Sequence, residues 1–449
     1  MNQKSDSISN AHLRLIAHLL LILAGMVALE LILRAAWGEV PKPMLNVVWW
    51  QTMGALMEKH GFFNVWTPYP PVFPALFYAA WKLIPADRLE AAWQVFNICL
   101  ILAQAALVFE IARTVLRDRV ALPVHAAALA ALAFVAAVWR PSSMVLLGAW
   151  MDQFDYLPTA LLLLGLLLLI KGRSAASAAV CGVGIMTKLF PGLLILAALP
   201  MLGLRRGLQY AAIALGVCVL IAAPFLASNS RIFMSTYRWT ADRPAWESVW
   251  ALAFAPRATR EPLANMPEML APQLCEAKFT RVYDAHDDAT VQFTRSLPGC
   301  GKVNLLTLPM LAVALAAVMA LASQRRRELN VCRGLLLMLL TLLLLSKGFS
   351  SYFIVWAMPL VCILYPGAAG FGLCALLVLL GNAGLSGFYA SIYGTFRQKA
   401  EFDYFTRLGS PHFLFWGSIL ARQGVLLAVA AHQAFLLWKN DETVLSPKA

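Results

Sequence analysis

The chain has 449 residues, 61% of them hydrophobic and only 13% charged, with a mean hydropathy of +0.70. Soluble domains carry about 25% charged residues, so too few charges remain here to coat a water-facing surface. The net charge of +13 does not point to nucleic acid, because the basic residues punctuate apolar runs and do not line one face.

Many of the apolar runs suit a hydrocarbon core about 30 Å thick, and alternation of period two is absent. Backbone groups in lipid are then satisfied within helices. The expectation is an all-α membrane protein, a single integral membrane domain over residues 1–449 that crosses the bilayer about 12 times. The first run, residues 13–37, is too long for a signal h-region and lacks a small-residue cleavage site. It reads as a signal anchor that leaves Lys4 and Arg14 inside.

Further runs follow at residues 91–112, 120–139, 157–170, 175–187, 190–204, 208–227, 304–323, 334–346, 352–365, 368–388 and 412–438. With this set the basic clusters Arg113/Arg117/Arg119, Lys171/Arg173, Arg205/Arg206, Arg325/Arg326/Arg327/Arg333 and Lys439 all fall inside, as do both termini. The parity requires that residues 69–84 do not cross. That segment holds Pro70, Pro71 and Pro74 with Tyr69, Tyr78 and Trp81, and reads as a helix lying at the outer surface. Two long external loops result, residues 38–90 and residues 228–302, each with room for interfacial helices.

The polar residues left unexplained collect on the outer side. Asp152 and Asp155 stand three residues apart at the mouth of a helix, where ionisable groups are costly unless they face a cavity or a partner. They suit a general base, a metal ligand or an acceptor for sugar hydroxyls, while Asp155 alone also suits a helix cap. Lys188, in the turn before Pro191, suits either a phosphate-binding point charge or a snorkelling side chain. Arg243 and Glu247 open the second long loop, among Tyr237, Trp239 and Trp246. They suit phosphate and sugar contacts or a solvated salt bridge. Tyr352 and Trp356 fit an aromatic interface belt. Cys275 and Cys300 share the long loop and are expected to pair in an oxidising compartment. No Cys or His spacing marks a structural metal.

Four ordered segments carry a resemblance. Residues 69–81 read YPPVFPALFYAAW, residues 152–156 DQFDY, residues 187–200 TKLFPGLLILAALP, and residues 346–360 SKGFSSYFIVWAMPL. With YRWTADRPAWESVW at residues 237–250, they resemble the GT-C superfamily of polyprenyl-phosphate-sugar-dependent glycosyltransferases, in a mannosyltransferase-like bacterial branch. That superfamily usually places a catalytic Asp in the first external loop. Residues 38–63 contain none, and Glu39 is the substitute directly after the first helix.

The resemblance implies an integral membrane glycosyltransferase of a bacterial-type inner membrane. It would take a monosaccharide from a polyprenyl-phosphate donor to a glycan or glycolipid acceptor on the periplasmic face. Asp152, Asp155 and Glu39 are then the candidates for the catalytic carboxylate. Lys188, Arg243, Glu247 and Tyr352 are candidates for binding the donor and its phosphate. The paired Asp residues permit a divalent ion without requiring one, so the cofactor stays open. Two other readings stand beside this one. A transporter or flippase for lipid-linked sugars would show inverted repeats and broken mid-membrane helices, which the sequence does not. A catalytically degenerate scaffold is favoured by the missing Asp.

Overall fold

The computed structural model describes residues 2–37, 45–120, 122–138, 154–242, 248–250, 278–281, 291–295, 300–323, 327–397 and 410–439. Fourteen α-helices carry these residues. They are α1 (Asn2–Trp37), α2 (Leu45–His60), α3 (Val72–Leu83), α4 (Leu89–Val115), α5 (Pro123–Val138), α6 (Tyr156–Ile170) and α7 (Ser174–Ile185). Then come α8 (Leu193–Leu202), α9 (Leu204–Asp242), α10 (Cys300–Ser323), α11 (Glu328–Leu345), α12 (Met358–Leu364), α13 (Ala368–Arg397) and α14 (Ser410–Lys439). The second long loop departs from the all-helical expectation. It holds a short antiparallel hairpin of β1 (Lys278–Arg281) and β2 (Val291–Arg295), with Phe279 opposite Phe293.

Among the described residues six spans are long and apolar enough to cross a membrane: Leu13–Ile32, Ala86–Val115, Leu204–Tyr237, Val303–Ser323, Glu328–Leu345 and Gly417–Lys439. Other expected crossings fall on shorter helices. The 12 residues of α7 rise about 18 Å at 1.5 Å each, well short of the core thickness. The run at residues 352–365 becomes a 3-10 turn, Ser351–Trp356, followed by the seven-residue α12. All seven residues of α12 are buried.

Burial sorts the helices into layers. Of the spanning window in Glu328–Leu345, 72% is buried, against 11% in Leu13–Ile32 and in Leu204–Tyr237. So α11 runs through the middle of the bundle, with α12 beside it. The peripheral α1 and α9 turn Leu20, Leu31, Leu215 and Leu220 outward. Such faces are stable against lipid tails, which are as apolar as leucine.

Small side chains let the central helices approach. In α7 the sequence SAASAAVCGVGI offers almost nothing larger than valine, and Ser177 uses the room. Its Oγ donates to the Gly165 carbonyl of α6 at 2.6 Å and accepts from the Tyr210 hydroxyl of α9 at 2.9 Å. Gly203 ends α8 at φ +79°, a left-handed position that glycine takes without strain, and α9 starts at the next residue. The helix α9 breaks at Asn229, whose backbone is extended at φ −154° and ψ 81°.

Candidate active site

Asp155 occupies the N-cap position of α6, yet its carboxylate does not cap the helix. Its backbone is already helical (φ −70°, ψ −18°), and its carbonyl accepts the amide and hydroxyl of Thr159 at 3.1 and 2.6 Å. The carboxylate points into the protein and is 3% exposed. Its Oδ1 accepts from Lys188 Nζ at 2.5 Å and from Trp356 Nε1 at 2.6 Å.

Lys188 is delivered by the turn that ends α7. The carbonyl of Gly184 accepts the amides of Thr187 and Lys188, both at 3.0 Å, and the Thr187 hydroxyl at 2.6 Å. This tight cap aims the ammonium across the mouth of α6. The group lies 4.5 Å from the centroid of the Phe353 ring, 5.0 Å from that of Trp356 and 5.8 Å from that of Tyr352. All are within reach of a cation–π attraction. Trp356 is sandwiched between Phe190 at 4.1 Å and Phe353 at 4.2 Å. A carboxylate with two hydrogen-bonded donors, and an ammonium with aromatic faces around it, meet the conditions under which a buried pair is tolerated.

Phe154, one residue earlier, docks α3. Its ring meets those of Tyr69, Phe73, Phe77 and Trp93 at 5.2, 5.3, 4.9 and 5.2 Å. The Val72 amide donates to the Met186 carbonyl at 3.1 Å, which ties the start of α3 to the turn that carries Lys188. In turn α2 is held on α3, where Trp81 Nε1 donates to Glu58 Oε2 at 2.9 Å and Lys82 pairs with the same carboxylate.

A third group of bonds fixes the segment ahead of Trp356. Ser248 Oγ donates to the Lys347 carbonyl at 2.7 Å, and Trp250 Nε1 to the Leu345 carbonyl at 2.9 Å. Lys347 Nζ and Asn304 Nδ2 both donate to the Ala241 carbonyl. The start of the long loop is therefore seated on residues 345–347.

Beside the ion pair, across the turn at residues 69–74, lies an open cleft of about 390 Å³. Phe62, Phe63, Tyr69, Phe225, Phe233 and Tyr237 supply its aromatic walls. Thr236 Oγ1 donates to the Thr67 carbonyl at 2.7 Å and Asn229 Nδ2 to Asn64 Oδ1 at 3.2 Å, so the walls are bonded to each other.

Of the residues singled out from the sequence, Asp155 and Lys188 are brought into direct contact, with Tyr352 at the edge of the same ring cluster. Glu39, Asp152, Arg243, Glu247 and Cys275 lie outside the described residues, and with Cys275 the expected pairing to Cys300. Ala241 and Ser248, which bracket Arg243 and Glu247, are both anchored as above. Among the described residues no three His, Cys, Asp or Glu side chains converge as metal ligands. Trp356 is the residue that sequence reasoning undervalued. Its place in an aromatic belt hid the bond to a carboxylate 201 positions earlier.

Residues 66–269 match the family model of glycosyltransferase family 87, a family of the GT-C type. The matched stretch starts at the rim of the cleft and takes in Asp152, Asp155, Lys188, Arg243 and Glu247. Glu39, Tyr352 and Trp356 fall outside it. A search of the curated proteins finds no match. The match covers somewhat less than half of the chain and is a likeness to that family over this stretch.

Proposed function

We propose that this chain is a membrane glycosyltransferase that moves a monosaccharide from a polyprenyl-phosphate donor to a glycan or glycolipid acceptor, at the periplasmic face of a bacterial-type inner membrane. The clustering of basic residues between the apolar runs supports that sidedness, with the site on the face opposite the basic turns. The observation that carries the reading is the buried ion pair of Asp155 and Lys188, set at the end of the bundle beside a cleft with aromatic walls. The cleft opens next to the lipid-facing α9, where a donor's hydrocarbon chain has a dry path.

The chemistry divides as follows. Lys188 meets the donor phosphate as a point charge and stabilises the charge that develops as the anomeric carbon leaves the phosphate oxygen. Arg243 joins it from the loop anchored at Ala241 and Ser248. Glu247 and Tyr352 contact the donor sugar at the rim. A carboxylate takes the proton of the acceptor hydroxyl while the new glycosidic bond forms. Asp155 has its Oδ1 engaged by two donors, so it holds Lys188 and Trp356 in place. Asp152 or Glu39 serves as the base.

The test is sugar transfer in proteoliposomes supplied with defined polyprenyl-phosphate monosaccharides and a bacterial glycolipid extract. Transfer should occur with at least one donor and fall by at least a hundredfold in Lys188→Met, the scale for loss of one group that stabilises transition-state charge. No transfer from any donor, or undiminished transfer by Lys188→Met, would overturn the reading.

A further inference from the structure

The last helix, α14, carries a buried stripe at helical spacing that includes Ile419, Arg422, Gln423, Leu426, Val429, Ala430 and Gln433. Arg422 stands in that stripe with no exposed surface, among the largest fully buried side chains of the protein. It lies about 8 Å, at 1.5 Å per residue, inside the apolar span that begins at Gly417. An ionised side chain at such a place is costly and commonly marks a functional site. Its guanidinium lies over the ring of Phe349, 3.8 Å from the centroid.

Phe349 is itself fully buried and sits just before the Ser351–Trp356 turn. Its ring lies 6.1 Å from that of Phe353. Phe353 in turn stacks on Trp356 and faces Lys188. A continuous packed series therefore runs from Arg422 through Phe349 and Phe353 to the two donors that hold Asp155.

We propose that Arg422 is a positioning residue for the site, fixing Phe353 and Trp356 around Lys188 through its stack on Phe349. The proposal rests on reading the Asp155/Lys188 pair as the site. A planar guanidinium stacks on a ring where an ammonium cannot match its fit, so the contact calls for arginine and not merely for a positive charge. A shift of about 1 Å at the pair is enough to lower transfer on the order of a hundredfold, although Arg422 touches neither substrate in this scheme.

The experiment uses the full-length protein in lipid nanodiscs, with tryptophan replaced by 5-fluorotryptophan. The fluorine resonance of position 356 is identified by its loss in Trp356→Phe. Arg422→Met and Arg422→Lys should both move that resonance. Phe349→Leu should move it as well, and adding Arg422→Met to Phe349→Leu should move it no further, because both act through one contact. A resonance unmoved by Arg422→Met, or shifts that add in the double variant, overturns the proposal. Should Arg422→Met fail to fold, the charge-preserving Arg422→Lys decides: an unmoved resonance overturns the proposal and a moved one supports it. No turnover is needed for this readout. Failure of the site reading, seen as undiminished transfer by Lys188→Met, is therefore a separate result.

Discussion

Lys188→Met strips the ammonium from a carboxylate that is 3% exposed and leaves Asp155 only the indole donor of Trp356. Breaking a buried pair from one side costs about 3–5 kcal/mol. The lower end, about 3 kcal/mol, is expected here, because the Lys188 side chain is 18% exposed and water reaches the gap. Adding Asp155→Asn removes the stranded charge and keeps an acceptor for Trp356, so the double variant should return to within about 1 kcal/mol of the parent. Unfolding of the purified variants in nanodiscs measures the first quantity and sugar transfer in proteoliposomes the second. If Lys188 works on the donor phosphate, the double variant is stable and still inactive. Recovery of activity together with stability would refute the phosphate role and leave the pair as a structural clamp. A single variant as stable as the parent would refute the buried pair itself.

Trp356→Phe keeps the ring stack but removes one of two hydrogen bonds to Asp155. It should cost about 1.5–3 kcal/mol, the range for bonds to charged groups, as read from unfolding. A new Cβ in Gly182→Ala would stand 2.5 Å from the Ala214 carbonyl and 2.7 Å from Val217. It should destabilise the α7/α9 contact by about 1–3 kcal/mol, while Gly216→Ala, with open space around it, serves as the neutral control in the same measurement. On exposed side chains, hydrogen bonds from Lys82 and then Trp81 hold the Glu58 carboxyl below its ordinary value of 4.5, and the bond to Glu58 raises Lys82 above its ordinary 10.5. The Glu58 contribution is present above pH 4.5 and fades as pH falls through its lowered folded value. The Lys82 contribution is present below pH 10.5 and fades as pH rises through its raised one. Protection factors of the α2 amides, with the intrinsic pH dependence of exchange divided out, should therefore be flat between these limits and fall outside them, and Glu58→Gln should remove the acid limb.

The sequence made much of this legible, and its blind spots have physical reasons. Proline and aromatic content marked residues 69–84 as a short helix, and α3 is a 12-residue helix seated on Phe154. The pair Asp152 and Asp155 drew notice because carboxylates beside a membrane helix need a partner, and Lys188 because it broke the positive-inside trend. Which atoms would meet was not readable. Asp155 and Lys188 are 33 positions apart and Trp356 is 201 from Asp155, separations that no local spacing rule spans. The count of crossings fared less well, since an apolar run shows where chain is buried and not how long the helix inside it will be, as residues 352–365 demonstrate. Arg422 went unread within the run at residues 412–438. The signal was present, a lone arginine in an apolar stripe, and the rule that such residues are seldom idle would have found it.

The spread of the site along the chain also sets an order of assembly. A chain made at about 5–20 residues per second presents Lys188 within seconds of Asp155, so the ion pair closes while the N-terminal half is being inserted. Trp356 follows about 10–40 s after Asp155, and Arg422 later still. During that interval the pair lacks its third donor and the rings that shield it, and the half-built protein holds two charges behind an unfinished wall. A chaperone or insertase that shelters that wall would act on this stage of biogenesis, and truncation between residues 250 and 345 would capture the stage for study.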